Sequence, residues 1–170
     1  KLRPTYKAAC KRLVVSHNFY DAVQLPNVDI VTEPIERIEK NGVRAGGELH
    51  EVDVLALATG FHVDAFMRPM NITGRNGIVL DEVWKDWPSA YLSISVPEFP
   101  NFFMLNGPNS PVGNFSLIQT AEMQFDYVLK IVEHVKQGDL DIAVTTREAY
   151  ERFDAERYEA AKGTVWATGC

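Results

Sequence analysis

A chain of 170 residues with 46% hydrophobic and 24% charged residues has ordinary globular composition and room for one or two domains. Its net charge of -6 and the lack of a basic stripe argue against a nucleic-acid partner, and no apolar run approaches the roughly 20 residues of a membrane span. Cys10 and Cys170, the only cysteines, form neither a disulfide framework nor a CxxC metal signature, so a reducing, cytoplasmic setting is the simplest expectation. No signal peptide opens the chain. It begins Lys1-Leu2-Arg3-Pro4 and stops at Gly169-Cys170, soon after the apolar Val165-Trp166; both ends read as cuts through a longer protein.

Residues 1–26 hold two prolines, several aromatics and the basic pair Lys11-Arg12. Leu13 to Val15 is a short β-prone run, and His17 to Tyr20 reads as a loop or one helical turn. Residues 28–32 and 35–39 alternate like strands. Asn41-Gly42 is a strong tight-turn signal, Gly46-Gly47 turns again, and residues 49–52 return, which makes a small β-meander. Val54 to Ala58 is an unbroken apolar run. It predicts a strand covered on both faces, as in a parallel sheet. It stops at Thr59-Gly60, where the glycine lets the backbone turn sharply or approach a ligand.

The pattern then breaks. Residues 61–75 read as a linker or crossover, residues 78–80 as a short strand. Trp84, Trp87 and Tyr91 crowd a segment broken by Pro88 and read as core or interface. Residues 101–105 predict a second buried strand, ending in a loop over 106–114 whose course is set by Gly107, Pro108, Pro111 and Gly113. Ser116 and Gln119 have capping-box spacing. Leu117, Ala121, Phe125, Val128, Val132 and Val135 recur at helical spacing up to Gly138, a plausible stop. Thr145 with Glu148 offers a second capping box, opening a helix that carries Tyr150, Phe153, Arg157, Tyr158 and Ala161.

Two constellations could carry chemistry. The first is the 107–114 loop leading into a helix, whose terminal N–H groups and dipole favour electron-rich ligand atoms. It is neither GxGxxG nor a phosphate loop, and on spacing alone a rigid strand-to-helix turn is the plainer reading. The second is Lys11-Arg12, a point charge suited to phosphate beside a permanently charged fork; solvated surface is the plain alternative. His17, His50, His62 and His134 lack metal spacing and read as surface or loop residues, so no metal is expected. No serine sits in GxSxG, and no carboxylates form an acid/base pair.

The ordered set of short motifs resembles the C-terminal part of the Baeyer–Villiger monooxygenases, within the flavin-containing monooxygenase-like flavoproteins. The likeness covers essentially the whole chain. It rests on Cys10-Lys11-Arg12, Asn18-Phe19-Tyr20, Pro26-Asn27-Val28, Asp53 with the ATGF at 58–61, Phe99-Pro100-Asn101-Phe102-Phe103, Gly107-Pro108-Asn109-Ser110, Thr164-Val165-Trp166 and Gly169-Cys170. Each piece is weak alone; the order with similar gaps is specific.

The resemblance implies an α/β fold: a partial three-layer Rossmann-like dinucleotide-binding architecture with a β-meander and C-terminal helices. Residues 1–64 would finish an NADP-binding domain, and residues 65–170 would belong to an FAD-binding domain. The implied activity is an FAD- and NADPH-dependent insertion of one oxygen atom of O2 into a ketone, through a peroxyflavin, giving an ester or lactone. Arg12 matches the catalytic arginine beside the flavin, where a fixed guanidinium stabilises developing negative charge. Lys11 matches a lysine that meets the 2′-phosphate of NADP. Thr59 and Gly60 would lie on the NADP side, Asn109 and Leu117 would touch the flavin, and Asn114 and Phe115 would face the substrate. The family's glycine-rich fingerprints and its Phe-Gly-His-Trp signature are absent from the chain, so the chain alone is expected to bind FAD and NADP weakly and to turn nothing over. An N- or S-oxygenating flavoprotein and a non-catalytic interaction module, with a homodimer as a further expectation, are the alternatives.

Overall fold

The computed structural model describes all residues except 1, 9, 12, 64, 111–115, 169 and 170, and at 166 and 168 the backbone alone. The described chain divides into two compact units, residues 1–61 and residues 62–169.

The first unit is built on the meander. A single helical turn, α1 (Phe19–Ala22), precedes β1 (Ile35–Glu39), β2 (Gly42–Ala45) and β3 (Glu48–Glu51), which pair antiparallel in that order. Glycine chemistry sets the second hairpin: Ala45 pairs with Glu48 across Gly46 and Gly47, both at positive φ, 59° and 83°. Two such residues define the mirror-image turn whose twist matches the flanking strands. Around it, Arg44 Nε donates to Glu39 Oε1 at 2.6 Å and the Gly47 N–H donates to Glu36 Oε1 at 2.6 Å. The sheet is thin. Ile35 and Ile38 of β1 are exposed, and Ala45 is the one buried hydrophobic among the described residues of this unit.

Two expected strands of this unit and one β-prone run do not form strands. Residues 13–15, 28–32 and 54–58 have no strand pairing. Val54 and Leu57 are 83% and 71% exposed instead of covered on both faces. The physical reason is lateral. An extended apolar segment becomes a strand only when neighbours satisfy its N–H and C=O groups, and the described sheet ends at β3.

The second unit holds the core. Leu80, Trp84, Ala90, Val96, Phe99 and Met104 form one buried cluster, with Phe66, Met67, Ile72, Ile78 and Phe102 packed against it. Trp84 anchors it: its ring meets Phe66 edge-on at 6.2 Å and its Nε1 donates to the Ser89 carbonyl at 2.9 Å. Tyr91 packs edge-on against Phe153 at 5.4 Å, whereas Trp87 is exposed. The aromatic segment is thus core at Trp84, half-buried at Tyr91 and exposed at Trp87. Residues 78–80 give one isolated bridge, Val79 to Thr73, before α2 (Leu80–Val83) begins.

Residues 101–105 are not a strand either. The Met104 N–H goes to the Ile94 carbonyl, and the Asn101 N–H to the Ala143 carbonyl. These irregular pairings satisfy the backbone where a sheet would have done so. Two helices follow, α3 (Leu117–Gln137) and α4 (Arg147–Ala161). Ser116 caps α3 by accepting from the Gln119 N–H, and Gly138 ends it in the left-handed conformation, as the sequence predicts. The cap of α4 is Thr146, which accepts from the Ala149 N–H. Thr145, the expected cap, instead shares a 2.5 Å hydrogen bond with Ser95. No helix of the described residues is long and apolar enough to cross a membrane.

Candidate functional site

The site builds up around residues 107–110, between the core and the start of α3. Gly107 is required there: a Cβ would lie 2.5 Å from the Ser93 carbonyl oxygen, to which the Gly107 N–H donates at 3.1 Å. Pro108 is fully buried. Asn106 and Asn109 take φ of 52° and 67°. Asparagine tolerates this left-handed region better than most side chains because its short amide can bond locally.

Two buried polar side chains, Gln124 and Ser89, hold this loop, and a third, Thr120, bonds within the start of α3. Gln124, projecting from α3, accepts the Asn106 N–H at Oε1 (2.7 Å) and donates from Nε2 to the Leu92 carbonyl (3.2 Å). Thr120, one turn earlier, donates to the Ser116 carbonyl. Ser89 accepts from Asn109 Nδ2 at 3.1 Å and donates to Asp154 Oδ1 at 2.9 Å. Asp154 in turn is paired with Arg157 at 2.6 Å. Burial pushes the Asp154 carboxyl up, but the hydrogen bonds from Arg157 and Ser89 outweigh it and hold the group below its ordinary value of 3.8.

The α3 face that packs inward is therefore Thr120 and Gln124, with Val128 and Ile131 half-buried. The apolar stripe read from the sequence lies mostly in solvent, with Leu117 and Phe125 at 46% and 50% exposure. It opens on a groove of about 480 Å³ lined by Leu105, Asn106, Leu117, Ile118, Ala121 and Phe125. Such a wall beside a helix N-terminus suits one apolar face of a flat ring whose edge carries electron-rich atoms. A separate, uncharged cavity of about 240 Å³ runs between Tyr91, Phe102, Tyr127 and Thr145. Burial, with the neighbouring Tyr91, raises the Tyr127 phenol above its ordinary value of 10.0.

The residues singled out in the sequence fall into three groups. Asn109 bonds to Ser89, while Leu117 is tied to the loop through Asn106, whose Nδ2 donates to the Leu117 carbonyl at 3.2 Å and whose Oδ1 accepts from Ser110 at 3.3 Å. Lys11, Thr59 and Gly60 belong to the first unit and are exposed. Lys11 Nζ sits 5.8 Å from the Tyr6 ring centroid. Gly60 has φ +90°, and a Cβ there would meet nothing within 4 Å. Arg12, Asn114 and Phe115 lie outside the described residues. Sequence reasoning missed Ser89, Gln124 and Asp154. The spacing of Thr120, Gln124, Val128 and Ile131 is a helical signal for Gln124; Ser89 and Asp154 carry none. Among the described residues no group of three or more His, Cys, Asp or Glu could hold a metal ion.

No family model matches the chain. Individual proteins do. The chain is 46% identical, over 99% of its length, to an uncharacterized monooxygenase of Mycobacterium tuberculosis, of which it covers 34%. It is 32% identical over 99% of its length to a Baeyer–Villiger monooxygenase of Pseudomonas aeruginosa, covering 32% of that protein. It is 37% identical over 98% of its length to a phenazine N-monooxygenase of Lysobacter antibioticus, covering 31% of it. Among solved structures it matches cyclohexanone monooxygenase from a Rhodococcus species, bound to NADP+, with a TM-score of 0.84 and 34% identity over 94% of this chain and 30% of that one. The chain thus spans about a third of the relatives it matches, and it shares their α/β flavin-monooxygenase fold over that third. The resemblance read from the ordered motifs is borne out: this is a segment similar, end to end, to flavin-dependent monooxygenases that include a Baeyer–Villiger enzyme.

Proposed function

We propose that this chain is part of a longer FAD- and NADPH-dependent monooxygenase that inserts one oxygen atom of O2 into a ketone, giving an ester or lactone. The observation that carries this reading is the whole-chain similarity to a named Baeyer–Villiger monooxygenase, joined to a close structural match with cyclohexanone monooxygenase. On this reading residues 1–64 complete an NADP-binding domain and residues 65–170 complete an FAD-binding domain.

Bound FAD, reduced by NADPH, supplies the oxygen chemistry; the chain binds, orients and polarises. Lys11 offers a compact ammonium to the 2′-phosphate of NADP, with Thr59 and Gly60 on the same cofactor. Arg12 places a permanent positive charge where negative charge develops on the substrate carbonyl oxygen, an interaction stronger in the transition state than before it. Asn109 and Leu117 meet the flavin at the pinned loop and at the apolar groove below it. Asn114 and Phe115 face the ketone.

Product analysis tests the reading. The full-length protein with NADPH and a panel of aryl, cyclic and linear ketones is expected to form esters or lactones. Arg12→Ala is expected to abolish them, and full activity in that variant would reject the role of Arg12. The 170-residue chain alone is expected to turn nothing over, and its purification with stoichiometric yellow flavin would contradict the division of labour proposed here.

The similarity to a phenazine N-monooxygenase supports a second reading, oxygenation of an aromatic nitrogen. Nucleophilic nitrogen needs no anion stabilised on the substrate, so Arg12→Ala would then spare turnover. N-oxides from an N-heteroaromatic substrate, with every ketone untouched, would favour this reading over ketone oxygenation.

A further inference from the structure

Asn109 follows the buried Pro108, and its side chain is the first member of a directed chain of hydrogen bonds. Ser89, 6% exposed, sits in the middle. Its hydroxyl has a single proton. An ionised carboxylate can only accept, so that proton is committed to Asp154 Oδ1, 2.9 Å away. Ser89 then has only lone pairs left for Asn109, 3.1 Å away. The Asn109 amide must therefore turn its NH2 towards Ser89 and its carbonyl Oδ1 away. Arg157 closes the chain, donating from Nε at 3.2 Å and Nη2 at 2.6 Å to the same Asp154 oxygen. The Ser89 backbone is held as well, by Trp84 Nε1 at 2.9 Å, so the relay starts from the core and does not drift.

We infer that Asp154 of α4 is a positioning residue for the 107–110 loop: acting through Ser89, it sets which way the Asn109 amide faces and so presents an acceptor, Asn109 Oδ1, to a donor N–H or O–H group of the bound cofactor. The cofactor half of this inference rests on the flavin role proposed for Asn109; the relay itself does not. Removing the Asp154 acceptor frees the Ser89 proton, whose next acceptor is Asn109 Oδ1, and the amide flips. Keeping the acceptor oxygen while removing the charge leaves the order of the chain intact.

The test is a double-mutant cycle in the full-length protein, comparing wild type, Asp154→Ala, Asn109→Ala and the pair by urea unfolding and by FAD affinity from flavin-fluorescence quenching. Asp154→Ala is expected to weaken FAD binding about tenfold, the size of one hydrogen bond lost from a coupled pair. In the Asn109→Ala background the same change is expected to have no further effect on affinity. Asp154→Asn, whose amide oxygen still accepts from Ser89, is expected to recover most of the loss. Ser89→Ala severs the relay without touching Arg157 and should match Asp154→Ala; it carries the cycle if that variant does not fold. Additive affinity losses, or an Asp154→Asn as weak as Asp154→Ala, overturn the inference. A wild-type protein that binds no FAD overturns the proposed function instead, and the unfolding cycle then decides the relay: coupled effects support it and additive effects remove it.

Discussion

The two units of this chain are opposites. Residues 1–61 hold the one regular sheet among the described residues, yet bury almost nothing. The described residues of 62–169 form no sheet before their helices, yet hold the hydrophobic cluster and every buried polar side chain described. Regular hydrogen bonding and stability are therefore separate properties here. The meander is specified by its turns, which are local. The core is specified by packing among irregular segments of residues 66–104, tied to α3 and α4 by side-chain bonds that span up to 65 positions.

The contrast predicts that damage in the two units differs in kind. The largest effect belongs to Trp84. Replacing it with alanine removes a ring that is 5% exposed and is expected to cost about 3–5 kcal/mol, as large-to-small core changes do. Urea unfolding followed by amide NMR is expected to show the second unit lost while the cross-strand contacts of 35–51 persist. Simultaneous loss of both sets would show that the two units unfold as one cooperative body.

Gln124→Leu comes next. It preserves volume but strands the Asn106 N–H and the Leu92 carbonyl, a cost of about 1–3 kcal/mol for buried groups left unsatisfied. The unfolding midpoint should fall, and hydrogen exchange at Asn106 should quicken while that of β2 stays as it was. An unchanged midpoint would show that the loop does not depend on its latch.

Acid gives a smaller and signed effect. Asp154 is held below its ordinary 3.8 in the folded protein, so the unfolded chain binds its proton more readily. Stability from this group is thus fully present above about pH 3.8, the unfolded value, and is lost as pH falls through the lower folded value. Asp154→Asn should flatten the acid limb of the second unit's stability profile. An acid limb identical to that of wild type would assign the loss to other carboxylates.

The smallest effect is expected at the surface of the meander. The Arg44 hydrogen bond lowers the Glu39 pKa against an opposing desolvation, with the Arg44 charge adding to it, but the pair is only partly covered and solvent screens it. Glu39→Gln should leave both the unfolding midpoint and the β1–β2 register unchanged. A shifted register would make that ion pair, and not the turns, the determinant of the sheet.

What was legible in the sequence follows the same division. The Gly46-Gly47 turn, the Ser116 cap and the Gly138 stop act within a few residues and could be read directly; the first hairpin turns one residue earlier than Asn41-Gly42, at Lys40-Asn41, because Gly42 already pairs with Glu39 in the ladder. The runs at 54–58 and 101–105 could not, because β pairing depends on partners elsewhere; their composition states an affinity for a sheet, not the presence of one. Thr146 displaced Thr145 as a cap because Ser95, 50 positions away, claimed the Thr145 hydroxyl. The loop at 107–110 was found as a motif, while Ser89 and Asp154 were not, since a relay of single side chains from three segments leaves no period to detect.

The bare run at 54–58 has a practical consequence. Val54, Leu55 and Leu57 stand in water within a stretch free of charge and proline, the composition that favours strand-to-strand stacking between molecules. Concentrated solutions of the chain should scatter light and bind hydrophobic dyes, and Leu55→Lys should suppress both. Any dimer measured for the chain has to be weighed against this sticky edge before it is credited to the biological assembly.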